Sequence, residues 1–417
     1  MHIRDLSGKS VCILGFGKEG QAAKRALETH TPSAGITVRD AKDGPDYLQG
    51  LQAFDILIKS PGIPVLPELK THSAKLTTST NIFFDSIAGS GAIVVGVTGS
   101  KGKSTTASLI HEMLKTQDSR LKTFLIGNIG NPALDYLDRA DKGVIFVMEL
   151  SSYQLMDLRV SPNIAVITSI FPEHLDYHGS FEAYVSAKMN IARFQRNDDI
   201  VIHPAALDVP GAGKHVPFSE TDAPIAVTET KLLGHHNQSN IAAAWKTVEI
   251  LGVSKEAAIA AAKAFTPLPH RLQSLGIHHG IEWIDDAIST TPDSTIAALD
   301  ALGNRVQTII LGGTDRGVDF TALGERIAAS RIKTVILFPG TGPRIKKAIE
   351  RAKADVQFLE ADSMEKAVRS AITSTNSKLQ TPNPPIVLLS TASPSYNMFK
   401  NFEEKGEEFA RWIHLQP

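Results

Sequence analysis

The sequence predicts an α/β protein of three domains, each built on a mainly parallel sheet. Three observations carry that reading. Short β-branched runs alternate with helical stretches from end to end. Those runs are almost continuously apolar, as strands covered on both faces must be. Two breaks, AGSG at 88–91 and TPLPH at 266–270, divide the 417 residues into pieces of ordinary domain size. The implied domains are 1–90, 91–266 and 267–417.

The strands are placed on SVCIL, FDILI, AIVVGV, GVIFVM, NIAVIT, VQTIIL, KTVILF and IVLLS. Helices are placed on STTASLIHEMLK (104–115) and NIAAAWKTVEIL (240–251). A hydrophobic content of 42% with 21% charged residues is that of an ordinary globular chain. The net charge of −1 leaves no electrostatic footprint for nucleic acid or an anionic membrane. Cys12 is the single cysteine; within SVCIL it reads as a small buried hydrophobe, and no intrachain disulfide can form. No apolar run approaches the ~18 residues of a membrane span, and MHIRDLSGKS lacks the apolar core of a signal peptide. The expectation is a cytoplasmic monomer acting on small molecules.

Five stretches carry chemistry. ILGFGKEG places Gly15, Gly17 and Gly20 between a strand and a helix, with Asp40 at the distance of a ribose-binding acid. That pattern fits a dinucleotide, another nucleotide or a structural turn, so a nicotinamide-dependent dehydrogenase is one hypothesis. GVTGSKGKSTT follows a buried strand. Its Gly99, Ser100, Lys101, Gly102, Lys103, Ser104 and Thr105 turn into a helix near Ser104, as a phosphate loop does. Here Val97 stands where the strict nucleotide-binding spelling has glycine. In MELSSYQL, Glu149 ends an apolar strand, where a buried carboxylate calls for a cation such as Mg²⁺. PEHLDYH presents His174 past another strand end, favoured as a metal ligand, and His178, read as incidental; Lys188 follows on the next helix. GHHNQSN sets Asn237 and Asn240 at i and i+3, suited to capping or to a nucleotide.

These stretches, with PHRLQ and FKNFEEKGEEF, resemble in order the Mur ligase family, ATP-dependent amide-bond-forming enzymes of peptidoglycan precursor synthesis. The resemblance runs from about residue 10 to 412. It implies Rossmann-like first and last domains around a central ATPase domain, and addition of D-glutamate to UDP-N-acetylmuramoyl-L-alanine through an acyl phosphate. It turns Gly15, Phe16, Gly17, Lys18, Arg39, Asp40, SPGIP at 60–64 (with Ser60 and Gly62) and Asn128 toward the UDP substrate. It assigns the phosphate loop, Asn237, Asn240, His270, Arg271 and Asp286 to ATP, and Ser104, Glu149, His174 and a carbamylated Lys188 to one or two Mg²⁺ ions. Lys103, Glu149, His174 and Lys188 become the catalytic set, and the last domain is expected to close on the other two. Thr290, Arg316, Ser395 and Phe402 fall to glutamate.

Three positions depart from the family pattern. Lys101 stands where asparagine is common; Arg316 replaces a lysine; Ile288 occupies the place of a second lysine. Arginine pairs well with a carboxylate, whereas isoleucine removes a charge partner. The glutamate isomer therefore stays open between D, the favoured form, and L. A non-catalytic descendant would have lost Lys103, Glu149 or Lys188, and all three are present.

Overall fold

The computed structural model describes residues 1–63, 76–116, 121–375 and 383–415. They form two compact units, one of residues 1–230 with 236–265 and one of 231–235 with 266–417. The first carries two sheets and the second one, so the chain is built of three α/β layers, mainly parallel.

In the first unit, β1 (Ser10–Leu14), β2 (Gly35–Arg39), β3 (Ile56–Lys59) and β4 (Leu76–Thr77) pair in parallel in the order β2-β1-β3-β4. The second sheet holds β5 (Ile93–Thr98), β6 (Lys122–Gly127), β7 (Val144–Glu149), β8 (Ile164–Ile167), β9 (Ile200–Pro204) and β10 (Lys214–Phe218), in the order β10-β9-β8-β5-β7-β6 and parallel throughout. Strand β5 is central, and its residues Val94, Val95 and Val97 are buried because helices cover both faces.

The two sheets share one apolar core. Phe83, on the helix Ser79–Ile87, meets Phe146 of β7 edge-on with ring centroids 5.4 Å apart. Polar ties cross the same seam. Lys59 pairs with Asp157 at 2.8 Å, Arg25 grips Asp135 with two nitrogens, and the Tyr177 hydroxyl donates to the carbonyls of Pro61 and Ile63.

The third sheet contains β11 (Gln273–His278), β12 (Ile281–Asp285), β13 (Val306–Leu311), β14 (Thr334–Leu337), β15 (Gln357–Glu360) and β16 (Ile386–Leu389), ordered β11-β12-β16-β13-β14-β15. Only the β11–β12 pair among the described residues is antiparallel. A two-residue turn, His279-Gly280, makes this hairpin; both residues have positive φ, as such tight turns require.

All eight expected strands are present within a residue or two. Strands β2, β4, β6, β9, β10, β11, β12 and β15 are not among those expected; of these, β2, β11 and β15 contain no buried residue and so lack the continuous apolar run that revealed the eight. The helix expected from Ser104 starts at Lys103, and the one expected from Asn240 starts at His236. Asn237 and Asn240 therefore lie inside its first two turns.

Candidate active site

The phosphate loop is built by β5 and the helix Lys103–Leu114. Gly102 caps that helix in the left-handed region at φ 84°, and a Cβ there would overlap Asn240 Oδ1. Gly99 would likewise strike Thr168 Oγ1. Both glycines are fixed by close approach as well as by conformation. Lys103 Nζ donates to the carbonyls of Gly99 and Ser100 at 2.9 Å, folding its charge over the loop that phosphate would fill. Asn240 Oδ1 accepts from Thr106 Oγ1, and its amide donates to Asn237 Oδ1 at 2.8 Å. Ser104 and Thr105 occupy the helix's first turn, whose N–H groups have no acceptor within the helix.

Lys101 now has a reason: its ammonium pairs with Glu173 at 2.5 Å, tying the loop to the segment that precedes His174. Thr168 Oγ1 donates to the Lys101 carbonyl and Ser100 N to the Ser169 carbonyl, so the ends of β5 and β8 are laced together.

Strand β7 lies directly beside β5, with Glu149 opposite Val97. Glu149 is 1% exposed; its Oε1 accepts from Asn128 Nδ2 at 2.7 Å, and its buried Oε2 has no partner among the described residues. A buried carboxylate oxygen without a donor is what a hard divalent cation such as Mg²⁺ satisfies, so Glu149 suits one, while no cluster of three or more His, Cys, Asp or Glu side chains forms around it among the described residues. Opposite, Lys188 is fully buried on the helix Phe181–Arg193, donating to the Gly99 carbonyl at 2.7 Å. Burial, with the nearby Lys103 charge, drives its pKa well below the ordinary lysine value. His174 is exposed at φ 54° before a short helix. His178 is held by Ser152 Oγ and stacks near Tyr153, a structural placement.

The glycine loop between β1 and the helix Lys18–His30 opens on a cavity of about 470 Å³. Gly15, Phe16, Gly17, Lys18, Asp40, Ser60, Gly62 and Asn128 line it, beside Tyr153 and Gln154 of the segment after β7. Gly20 cannot carry a side chain because a Cβ would overlap the Gly15 carbonyl. Asp40 accepts from Phe16 N at 2.7 Å and from Lys42 N, and these bonds hold its carboxyl below the usual range. Arg39 reaches the carbonyls of Tyr47 and Gln49 and lies over the Phe54 ring. Asp40 thus braces the glycine loop, whereas Arg39 braces the segment of Tyr47 to Phe54. Pro64 of the SPGIP stretch lies outside the described residues.

In the second unit, the ends of β12 and β16 gather the remaining positions. His270 Nδ1 bonds Asp285 Oδ2 at 2.7 Å, which raises the histidine's pKa, and its ring meets Phe402 edge-on at 6.1 Å. Asp286 is fully buried, accepting from Ser390 Oγ and Leu272 N, and desolvation lifts its pKa to about 6. Arg271 adds a cationic influence on Asp286. Arg316 is exposed, its guanidinium 5.8 Å from the ring of Tyr396, the neighbour of Ser395. Thr290 and Ile288 lie half-buried on the turn after β12.

Two residues escaped the sequence reading. Glu19 lines the glycine-loop cavity, bonded to Gln154 Nε2 at 3.2 Å, and burial lifts its pKa to about 7. Lys405 is completely buried and donates to Thr391 Oγ1 and Ser395 Oγ. A signal existed for Lys405: it sits on the apolar stripe with Phe402, Phe409 and Ile413. Glu19 gave none, because charge in a first helical turn is ordinary.

A phosphate loop at the end of a central parallel strand, flanked by a buried carboxylate and lysine, defines a nucleotide-using α/β enzyme. The pattern of the Mur ligase middle domain matches residues 97–212, and that of the Mur ligase glutamate ligase domain matches residues 270–381. A UDP-N-acetylmuramoyl-L-alanine–L-glutamate ligase of Salinispora tropica is 35% identical over 99% of this chain and 99% of its own. A UDP-N-acetylmuramoylalanine–D-glutamate ligase of Acetivibrio thermocellus is 34% identical over 89% of this chain and 85% of its own. The fold matches the UDP-N-acetylmuramate–alanine ligase of Thermotoga maritima with a TM-score of 0.60 at 16% identity, covering 97% of this chain and 99% of that one. The chain belongs to the Mur ligase family.

Proposed function

We propose that this protein joins glutamate to UDP-N-acetylmuramoyl-L-alanine at the expense of ATP, in the assembly of peptidoglycan precursors. The observation that carries the reading is the pairing of a phosphate loop with the partnerless buried oxygen of Glu149. Residues 1–90, 91–266 and 267–417 would hold the UDP substrate, ATP and glutamate in turn.

A carboxylate is a poor electrophile, so the γ-phosphoryl of ATP passes first to the alanyl carboxylate, releasing ADP and leaving an acyl phosphate. The glutamate amine then attacks the acyl carbon, a tetrahedral oxyanion forms, and phosphate departs as the amide closes. Lys103 and the loop's N–H groups neutralise the transferring phosphoryl group. Mg²⁺, held by Ser104, Glu149, His174 and a carbamate on Lys188, would supply further charge neutralisation at the phosphates. A neutral Lys188 amine is the form that adds carbon dioxide, losing one proton as the carbamate forms, and its burial favours that form. Asn128 lies in the substrate cavity and orients Glu149, linking UDP substrate to the metal site through one side chain.

For the isomer, L-glutamate is the first reading: the relative named for it aligns over nearly all of both chains, and Ile288 puts an apolar side chain on the turn after β12. D-glutamate, the sequence expectation, is the second, supported by the name of the Acetivibrio relative. No helix among the described residues is long and apolar enough to cross a membrane, which accords with a cytoplasmic site of action. Phosphate release with ATP, Mg²⁺ and UDP-N-acetylmuramoyl-L-alanine, measured with each glutamate isomer, tests both points. Turnover with one isomer assigns it; no glutamate-dependent release with either overturns the proposal, and NAD(P)H-dependent turnover would replace it.

A further inference from the structure

Lys405 is the buried charge that this reaction scheme leaves without a task. It sits on the helix Phe402–Leu415, is 0% exposed, and is among the largest fully buried side chains of the protein. Its ammonium makes no salt bridge within 4 Å to any carboxylate among the described residues; its partners are the hydroxyls of Thr391 at 2.6 Å and Ser395 at 3.0 Å. Asp285 and Asp286 favour the charge from farther off. An ammonium held dry against two neutral hydroxyls is under-compensated, and an arriving anion relieves it.

The hydroxyls transmit that charge in one direction. An ammonium only donates, so Ser395 Oγ accepts from Lys405 and its own proton is left to point away from Nζ. Thr391 Oγ1 accepts from Lys405 and sends its proton to the Ser393 carbonyl at 2.9 Å, which closes that branch. The open branch is Ser395. Gly313 fixes its surroundings, because a Cβ there would overlap the Pro394 carbonyl, and Thr314 N donates to the same carbonyl. This packs the loop bearing Arg316 against the loop bearing Ser395 and Tyr396. The turn after β12, residues 286–291, offers the hydroxyl of Thr290 and the apolar Ile288 but no positive charge.

We propose that Lys405 is a specificity-determining positioning residue of the amino-acid pocket: its buried ammonium polarises the Ser395 hydroxyl into a donor for a carboxylate of the incoming dicarboxylate, with exposed Arg316 serving the other. The inference rests on the glutamate-ligase reading and adds the source of the pocket's inner positive charge. Gly406 belongs to the same device. A Cβ at Gly406 would overlap His270 Nδ1 and Asp285 Oδ2, so only glycine lets the helix bring its preceding lysine this deep.

The test measures KM for each substrate in the native enzyme and in Lys405→Met, which keeps the stem and removes the charge. Loss of a charged hydrogen-bond relay predicts a rise of about ten- to hundredfold in the glutamate KM, with the KM values for ATP and the UDP substrate unmoved. An unchanged glutamate KM in a folded variant overturns the inference. Absence of glutamate-dependent turnover in the native enzyme instead overturns the ligase reading on which it rests. Should Lys405→Met fail to fold, the native protein decides through the inhibition constant of glutarate, a dicarboxylate with no amine to titrate. The groups facing Lys405 are Asp285 and Asp286 of the β12 end and, behind Asp285, His270; Glu403 and Glu407 act on that histidine. Rising pH removes charge from His270, whose pKa the Asp285 bond raises, in the same direction as from Lys405. With the lysine's pKa lowered to about 8, glutarate binding should weaken several-fold between pH 7.5 and 9.5; a constant inhibition constant over that range overturns the inference.

Discussion

Lys188 and Lys405 are two fully buried lysines in two separate units, and their surroundings give them opposite chemistry. Lys188 faces a backbone carbonyl and a like charge, Lys103, beside the phosphate loop. Desolvation and repulsion by Lys103 both act against its ammonium and outweigh the opposing pull of Glu173 and Glu149, so the neutral amine is the form the site favours. Lys405 faces two hydroxyls and has two aspartates within electrostatic reach, so desolvation is opposed and its pKa falls only to about 8. Burial alone does not decide a lysine's role; its neighbours do. One position is suited to become an anion by carbamylation, the other to remain a cation.

The largest expected effect comes from breaking the first environment. Lys188→Ala should lower kcat on the order of 10²–10³-fold, the usual consequence of deleting one preorganised electrostatic group. Steady-state phosphate release measures it, and full activity in the variant would remove Lys188 from the metal site. Gly102→Ala follows, because it combines a left-handed φ of 84° with a side-chain overlap on Asn240. Thermal unfolding should register a loss of at least about 1–2 kcal/mol, together with weakened ATP binding by calorimetry.

Smaller effects sharpen the contrast between buried and exposed charge. Glu19 has its pKa raised by burial to about 7, above the unfolded value near 4.3. Between those values the unfolded chain has released a proton that the folded chain keeps, so stability falls as pH rises through the window. Glu19→Gln should therefore raise the melting temperature at pH 8 and leave it unchanged at pH 4; a variant with the same shift at both would refute the burial of that charge. The smallest effect belongs to Lys101→Ala. Its pair with Glu173 has a half-exposed lysine partner, a geometry worth about 0–1 kcal/mol. The ATP KM should change less than about threefold.

These sites were legible in the sequence to different degrees. The phosphate loop and Glu149 stood out because apolar strands end abruptly in glycine or charge, a local signal that survives without an alignment. Asp40 was visible too, but its bond to Phe16 N was not, since a side chain spent on bracing its own loop looks in sequence like one aimed at a ligand. Asn128 binding Glu149 across 21 residues follows from the pairing of β6 with β7, and strand order is not written in any single segment. Lys405 was readable only as an anomaly on an apolar helical stripe; its meaning depends on Thr391 and Ser395, which the fold alone brings beside it. The antiparallel strand β11 was missed because its half-exposed residues imitate a loop.

The division between the two lysines is tested most directly by carbon-13 NMR of the native protein equilibrated with labelled bicarbonate at neutral pH. A single carbamate resonance is predicted, retained in Lys405→Met and lost in Lys188→Ala. No carbamate resonance in the native protein, or one that disappears with Lys405 and persists without Lys188, would contradict the assignment of anion and cation to these two sites.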